Sequence, residues 1–285
     1  MTKLDELETK GCCVIKGLFD ETVIRESIAV TNRALKEISA DHREDNKSQG
    51  SLVPMAEYPG YSKIIAYPKL IETLEKEFNF TDVRFSSGYL ISKPPKSPPL
   101  FWHQDWWGWG HPLSYKPFIA QIAVFVYLTE TTVENGCLKY IPGSHRQKHH
   151  FHNAQNAHGE DLAKVKNPSD PLFGKLADEE QVMVKLGDAV ICDARLMHAS
   201  NANRSASERS SLTLWYHPNW SEQPDSFKAI VRKLYDREDD NTSDTDAGGL
   251  SLDQWPKKDH ERIQHLIPLV DKDAAREPWN RTPNF

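Results

Sequence analysis

The chain has 285 residues, of which 27% are charged and 38% hydrophobic, and its formal net charge is -6. Such values are ordinary for a globular protein that buries a sizeable core. A net negative charge does not indicate the basic surface with which proteins bind nucleic acid. No apolar run reaches the roughly 18 residues that a membrane span needs. We therefore expect a soluble protein with neither a nucleic-acid nor a membrane partner. Its oligomeric state cannot be read from these values.

The two ends of the sequence and its cysteines bear on the cellular compartment. Residues 1–6 do not resemble a signal peptide, and residues 282–285 are not a peroxisomal address. The four cysteines have no spacing typical of a disulfide framework or a zinc site. A reducing compartment is the simplest interpretation, so we expect a cytoplasmic protein.

The N-terminal part is predicted to alternate between helices and short strands. A strand near Cys12–Lys16 precedes a helix that Asp20 can cap, and apolar residues recur at helical spacing after it. The polar stretch Ala40–Ser51 is predicted to be a loop. A second helix is expected over Tyr67–Phe78, because Pro68 near its start is compatible with a first helical turn.

Strands are predicted to dominate from Val83 to Tyr216. The apolar run Phe118–Leu128 indicates a strong strand, and the run Val182–Cys192, interrupted by a turn, indicates two paired strands. Another strand is expected over Ser210–Tyr216. The polar segment His145–Asp178 is too long for a simple turn, so it is either a cover over an active site or a surface excursion. Farther on, residues 236–246 are predicted to form a solvated acidic loop and residues 253–270 a last helix.

Three metal-binding side chains and one arginine stand at the ends of these predicted strands. His103 and Asp105 are two residues apart, so on a strand they point to the same face, and His198 can complete a facial triad. Two imidazoles and one carboxylate leave open positions on an octahedral ion, which suits non-haem Fe(II). Arg209 can form a bidentate pair with the carboxylate of a 2-oxo acid.

Each of these residues also has a structural interpretation. A His-x-Asp pattern occurs by chance, most of the twelve histidines are expected to bind no metal, and a lone arginine more often forms an ordinary salt bridge. Their order along the chain and their positions at strand ends favour the site. A second functional metal site at His149, His150 and His152 is not expected, because no carboxylate accompanies them.

Together with further motifs along the chain, these residues resemble those of the phytanoyl-CoA dioxygenase family of Fe(II)/2-oxoglutarate oxygenases. The resemblance spans roughly residues 8–217, and its motifs are specific in combination and order. The matching stretches are Gly11–Phe19, Lys93–Pro95, His103–Asp105, Glu134–Leu138, Ile141–His145, Gly187–Asp188, His198–Ser200 with Asn203, and Arg209.

The resemblance implies roles for individual residues. His103, Asp105 and His198 would bind Fe(II), and Arg209 would pair with the distal carboxylate of 2-oxoglutarate. The family also often adds a lysine to the co-substrate site, for which Lys63 and Lys93 are candidates. Further neighbours of the co-substrate would be Ser211, Ser200, Tyr89 and Phe125.

The resemblance also implies the fold and the reaction. We expect one domain over residues 1–285, mainly β with flanking helices, in a double-stranded β-helix (a cupin-like jelly roll), with a core over about 8–217 and an extension over 218–285. The implied reaction hydroxylates a small molecule with O₂ and 2-oxoglutarate, giving succinate and CO₂. The alternatives are a desaturase or ring-forming oxidase on the same fold, or a non-catalytic jelly-roll binding protein.

The substrate is the least determined part of this interpretation. Trp106, Trp107 and Trp109 follow the metal motif, and they either pack in the core or form an aromatic wall of a substrate pocket. Such a wall would suit an apolar molecule, a flat natural product or a quaternary ammonium group. Coenzyme A thioesters are less favoured, because the sequence has no distinct basic patch for their phosphates.

Overall fold

A computed structural model describes residues 1–154, 158–233, 255–268 and 274–285. Within them, strands form two antiparallel sheets, one with the strand order β1-β8-β5-β10-β3-β2 and one with the order β4-β9-β6-β7. In chain order the strands are β1 (Cys12–Ile15), β2 (Val53–Pro54), β3 (Arg84–Lys93), β4 (Leu100–His103), β5 (Ile122–Tyr127), β6 (Leu138–Tyr140), β7 (Glu180–Val182), β8 (Ala189–Asp193), β9 (His198–Ser200) and β10 (Arg209–His217).

Helices flank these sheets. Side-chain caps fix where some of them begin: the Asp20 carboxylate accepts a hydrogen bond from the Val23 amide, and Ser39 accepts one from the His42 amide. Another helix begins at Pro68, whose missing N–H costs nothing in a first turn. The described α-helices are α1 (Lys3–Lys10), α2 (Glu21–Glu37), α3 (Ala40–Asp45), α4 (Ser62–Ile65), α5 (Pro68–Lys76), α6 (Glu160–Ala163), α7 (Asp225–Lys233) and α8 (Lys257–Ile263).

The larger sheet is buried on both of its faces. Along β5, Ile122, Val124 and Val126 pack in the cluster that also contains apolar side chains of the N-terminal helices. The alternate residues Phe125 and Tyr127 point to the other side, where they pack against β6 of the smaller sheet. Because side chains alternate along a strand, a run that is apolar throughout serves both layers. The space between the two sheets is the interior of the barrel, and it contains the site.

The structure confirms the predicted fold class, which is mainly β with flanking helices in a jelly-roll arrangement of two facing antiparallel sheets. The helix expected over Tyr67–Phe78 is present as α5. Of the last helix predicted over 253–270, α8 and a short 3-10 turn at Gln264–Leu266 are described. The acidic loop predicted over 236–246 lies outside the described residues. No helix in the described ranges is long and apolar enough to cross a membrane.

Two local predictions were wrong. The stretch Ala40–Ser51 is not all loop, because α3 occupies its first half behind the Ser39 cap. The run Val182–Cys192 does contain parts of two strands, but β7 and β8 belong to different sheets and do not pair with each other. Gly187 has a φ of 87°, in the left-handed region, and it turns the chain from one sheet to the other.

Candidate active site

Three metal-ligating side chains meet between the sheets. His103 ends β4 and His198 begins β9, and the two residues are direct cross-strand partners with ring centroids 4.2 Å apart. The Asp105 carboxylate lies between them, with Oδ1 3.7 Å from Nε2 of His103 and Oδ2 3.9 Å from Nε2 of His198. One ligand atom from each residue lies within 4.8 Å of the others, so this group could hold a metal ion.

Asp105 reaches this position from a loop and not from a strand. Strand β4 ends at His103, so the alternation argument, which assumed that both residues lie on one strand, was wrong for Asp105. The backbone N–H groups of Asp105 and Trp106 both donate to the carbonyl oxygen of Ala194, at 2.9 Å each. These two bonds tie the loop to the end of β8 and hold its carboxylate beside the imidazoles.

Hydrogen bonds orient the two imidazoles. Nδ1 of His103 lies 2.9 Å from the Phe101 carbonyl oxygen, and Nδ1 of His198 lies 3.0 Å from that of Leu196. A carbonyl oxygen can only accept, so each Nδ1 carries the proton and each Nε2 has its lone pair toward Asp105. Burial, followed by the neighbouring His198, lowers the pKa of His103 to about 3. This imidazole is therefore neutral near pH 7, as a metal ligand must be.

The carboxylate of Asp105 has a hydrogen-bond donor of its own. The indole Nε1–H of Trp215, on β10, donates to Oδ2 of Asp105 at 2.9 Å. This bond fixes the rotation of the carboxylate. Hydrogen bonds to the groups behind metal ligands commonly tune both ligand orientation and affinity.

A cavity of about 150 Å³ adjoins the three ligands, and Arg209 lines its far end. Nη1 of Arg209 donates to Oγ of Ser211 at 2.9 Å, and the guanidinium lies 5.5 Å from the centre of the Tyr127 ring. Nε of Arg209 has no hydrogen-bond partner in the described ranges. Among the described residues, no carboxylate lies within ion-pair distance of this buried arginine.

The two candidate lysines lie in different surroundings. Lys63 is half-exposed on α4 and pairs with Glu26, so it is not part of the cavity lining. Lys93 is fully buried, and its Nζ donates to the carbonyl oxygens of Ser48 and Pro98. Burial, followed by the charge of Arg209, holds the pKa of Lys93 well below its usual range.

Most of the other predicted site residues also surround this cavity. Ser200, Ser211, Tyr89, Phe125 and Trp107 all line it. Trp106 and Trp109 do not: both are buried beside it, where their indole N–H groups donate to Ser114 at 2.9 Å and to Gln104 at 2.8 Å respectively.

Several lining residues were missed at the sequence level. Tyr127, Thr213 and Trp215 could have been found, because they continue the period-2 alternation of Phe125 on β5 and of Arg209 and Ser211 on β10. No local pattern points to three others, which come from a long loop and from the C-terminal segment: they are His158, Trp279 and Arg281.

The histidines of the 145–178 segment do not form a second cluster. His149 and His152 cap the short turn that they flank, the amide of His149 donating to Nδ1 of His152 at 2.9 Å. In the described part of the chain, the one group of three or more close metal-ligating atoms is that of His103, Asp105 and His198.

Comparison with known proteins gives a consistent result. The family model described as phytanoyl-CoA dioxygenase (PhyH) matches residues 7–211. A probable alpha-ketoglutarate-dependent hypophosphite dioxygenase of Stutzerimonas stutzeri is 25% identical over 167 residues, an alignment that covers 57% of this chain and 54% of that protein. An ectoine dioxygenase of Bordetella bronchiseptica is 22% identical over 230 residues, covering 75% of this chain and 74% of that protein.

Solved structures show the same fold at low identity. HygX from Streptomyces hygroscopicus, crystallised with nickel and 2-oxoglutarate, has a TM-score of 0.58 and 19% identity over 76% of this chain and 86% of that one. The alpha-ketoglutarate-dependent epimerase SnoN from nogalamycin biosynthesis has a TM-score of 0.55 and 18% identity, covering 75% and 81%. The chain spans little more than half the length of the hypophosphite dioxygenase relative.

Proposed function

Because the chain belongs to the phytanoyl-CoA dioxygenase family of Fe(II)/2-oxoglutarate-dependent oxygenases, we propose that it hydroxylates a small molecule. The overall reaction converts substrate R–H, 2-oxoglutarate and O₂ into R–OH, succinate and CO₂. Each O₂ contributes one oxygen atom to the alcohol and one to succinate, so atoms and electrons balance without a further reductant.

One observation carries the proposal. A fully buried arginine, Arg209, faces the cavity that also contains the imidazole and carboxylate ligands, and no described carboxylate neutralises it. Lys93, its cross-strand partner, is also buried and donates to two backbone carbonyl oxygens. Burying unpaired charge is costly, so such a site favours binding of an anion. A dicarboxylate that reaches from Arg209 to a metal at the triad would neutralise the arginine with one end and bind the metal with the other.

The polar groups of the lining fit the same co-substrate. Three buried side-chain atoms of the lining have no hydrogen-bond partner within the part of the chain that the structure describes: Nε of Arg209, Oγ of Ser200 and Oγ1 of Thr213. A buried donor or acceptor without a partner costs about 1–3 kcal/mol, which a bound ligand that pairs with it recovers. Ser211, which already accepts from Arg209, is placed to share the distal carboxylate.

The roles follow from these positions. His103, Asp105 and His198 would hold Fe(II) through two Nε2 atoms and one carboxylate oxygen, and Trp215 would keep the carboxylate in place. Bound Fe(II) and 2-oxoglutarate supply the oxidising chemistry when O₂ is present. The chain's own contribution is to bind, to orient and to exclude water from the cavity, whose lining includes the apolar side chains of Phe125 and Leu138.

The charge of the lining bears on the substrate class. Among the lining residues that the structure describes, Asp105 is the one carboxylate, and it is assigned to the metal, whereas two are arginines. This balance favours a neutral, zwitterionic or anionic substrate over a quaternary ammonium group. The relatives named as hypophosphite and ectoine dioxygenases support beginning a screen with small acids and zwitterions.

The test is substrate-dependent succinate release by the protein loaded with Fe(II), followed by mass spectrometry of the product. We expect a stimulating compound to gain one oxygen atom, and the Asp105→Ala variant to release no succinate. A product that loses two hydrogens would show a desaturase or a ring-forming oxidase. If the wild type bound Fe(II) and 2-oxoglutarate but gave no oxidised product with any compound, a non-catalytic binding protein would replace the proposal.

A further inference from the structure

The described C-terminal segment, residues 274–285, which we call the strap, lies across one end of the cavity. Its backbone is hydrogen-bonded to the segment that follows the metal motif: the amide of Asn280 donates to the Trp107 carbonyl at 2.7 Å, and the amide of Trp109 donates to the Asn280 carbonyl at 3.2 Å. At its end, the ring of Phe285 packs 5.4 Å from that of Trp109. The strap is therefore anchored at several points.

Arg281 of the strap contacts the backbone that carries Asp105. Its Nη1 lies 3.3 Å from the carbonyl oxygens of both Gln104 and Asp105, and 3.0 Å from Nε2 of His158. The side-chain amide of Gln104 in turn donates to the carbonyl oxygen of Arg281. These contacts add to the two hydrogen bonds to Ala194 that hold the Gln104–Trp106 backbone, which carries Asp105. Arg281 is thus a positioning residue for Asp105.

Trp279 and Arg281 also form part of the cavity wall. The ring of Trp279 stacks on that of Trp107, with centroids 5.5 Å apart and planes 17° apart, and Arg281 lies 5.0 Å from the centre of the Trp279 ring. Trp279 is 42% exposed, so it forms the rim between the cavity and solvent. On its other side Arg281, with His158 and His103, borders a second cavity of about 220 Å³.

We propose that the strap is a working part of the active site, in which Trp279 and Arg281 close the substrate end of the cavity and limit the size of the substrate. This inference rests on the proposed function, since it takes the Arg209 end for the co-substrate. The cavity of about 150 Å³ is smaller than the roughly 300–1,000 Å³ of pockets that hold drug-sized ligands. The family match ends at residue 211, so the strap lies outside the part of the chain that it covers.

The test measures access to the metal with probes that need no known substrate. Protein loaded anaerobically with Fe(II) and 2-oxoglutarate is mixed with the bulky chelator ferrozine, and the rate of iron extraction is followed by absorbance. Trp279→Ala and Arg281→Ala should lose iron about tenfold faster than the wild type, because each removes part of the closure around the metal-binding loop. Nitric oxide, a small ligand, should bind the iron equally in all variants.

The matched control is Arg276→Ala, because Arg276 is an exposed arginine of the same strap that does not line the cavity. It should extract at the wild-type rate. Trp279→Phe retains an aromatic ring on Trp107 and should restore slow extraction, which separates loss of closure from misfolding. Amide hydrogen exchange of residues 103–110 should rise in Arg281→Ala and stay unchanged in Arg276→Ala.

The outcomes separate this inference from the proposed function. Failure of the wild type to bind Fe(II) and 2-oxoglutarate would overturn both. Normal binding, with folded Trp279→Ala and Arg281→Ala variants that extract at the wild-type rate and exchange normally at residues 103–110, would overturn the strap alone and leave the co-substrate site intact.

Discussion

At the end of the cavity proposed for the co-substrate, most lining side chains come from the central strands of the larger sheet, whereas at the end proposed for the substrate they come from loops and the strap. Ser211 is paired on one side with Ile91 and on the other with Tyr127, and Thr213 likewise with Tyr89 and Phe125. Trp107, His158, Trp279 and Arg281 lie outside every strand. Backbone ladders thus fix one end, whereas the other is assembled from contacts between distant segments, among them the two backbone hydrogen bonds of Asn280 with Trp107 and Trp109.

This difference suggests a division of labour. A charged co-substrate must be held at a fixed distance from the metal, and neighbouring strands with both ladders hydrogen-bonded provide that rigidity. Selectivity for the substrate requires shape, which loops supply without disturbing the sheet. If the two ends function separately, a substitution at one end should leave the binding function of the other unchanged.

The largest effect is expected at the metal, where the two ends meet. Replacing His103, Asp105 or His198 with Ala removes one of three protein ligands, so bound iron after desalting and succinate release should both fall to background. His150→Ala, at an exposed histidine, should change neither. Wild-type iron content and turnover in Asp105→Ala would refute the assignment of the triad.

A matched pair of arginine-to-lysine substitutions tests whether the two ends of the cavity function independently. Arg209→Lys keeps the charge but loses the planar two-donor fork, so the apparent KM for 2-oxoglutarate should rise about 10- to 100-fold while iron stays bound. Arg281→Lys makes the same change at the other end and should leave that KM at its wild-type value. If both variants shifted the KM equally, the assignment of separate ends would be wrong.

The sequence was sufficient for the parts that depend on local periodicity. Arg209 opens a strand, His198 stands at the start of one, and the apolar run around Phe125 is a strand as predicted. The same alternation along β10 places Thr213 and Trp215 on the face of Arg209 and Ser211. Side-chain direction in a strand is fixed by the backbone, so a correct strand gives correct neighbours.

The remainder depends on contacts between distant parts of the chain. Asp105 is placed by a loop that bonds to Ala194, and no spacing rule for strands describes that geometry. Arg281 is 176 residues from Asp105, and nothing in the local pattern of the strap indicates where it packs. Likewise, nothing in the local sequence indicates that Trp107 lines the cavity while Trp106 and Trp109 are buried beside it.

A smaller effect is expected at Trp215 of β10, whose indole N–H donates to the carboxylate of Asp105. Trp215→Phe removes the hydrogen bond to Oδ2 of Asp105 and should weaken Fe(II) affinity about tenfold, measured by anaerobic titration. Trp109→Phe removes a comparable indole hydrogen bond, to Gln104, and should leave the affinity unchanged. Equal losses in both variants would mean that aromatic packing, rather than the bond to Asp105, is responsible.

The smallest effect concerns stability, at the far end of β10. His217 is fully buried, its Nδ1 lies 2.9 Å from the Ala120 carbonyl, and burial lowers its pKa to about 4. An unfolded histidine has a pKa of about 6.5, so between about pH 6.5 and 4 the unfolded chain binds a proton that the folded chain does not. Stability is therefore retained above about pH 6.5 and is lost as the pH falls, by up to about 1.4 kcal/mol per pH unit for this group.

His217→Asn tests that contribution in the protein without metal. The variant should be less stable than the wild type at pH 7.5, because packing is lost, but the difference in the free energy of unfolding should shrink by about 1 kcal/mol at pH 5.5. Urea unfolding at each pH supplies the measurement. A difference between His217→Asn and the wild type that did not change with pH would show that His217 is not the group that destabilises this end of β10 in acid.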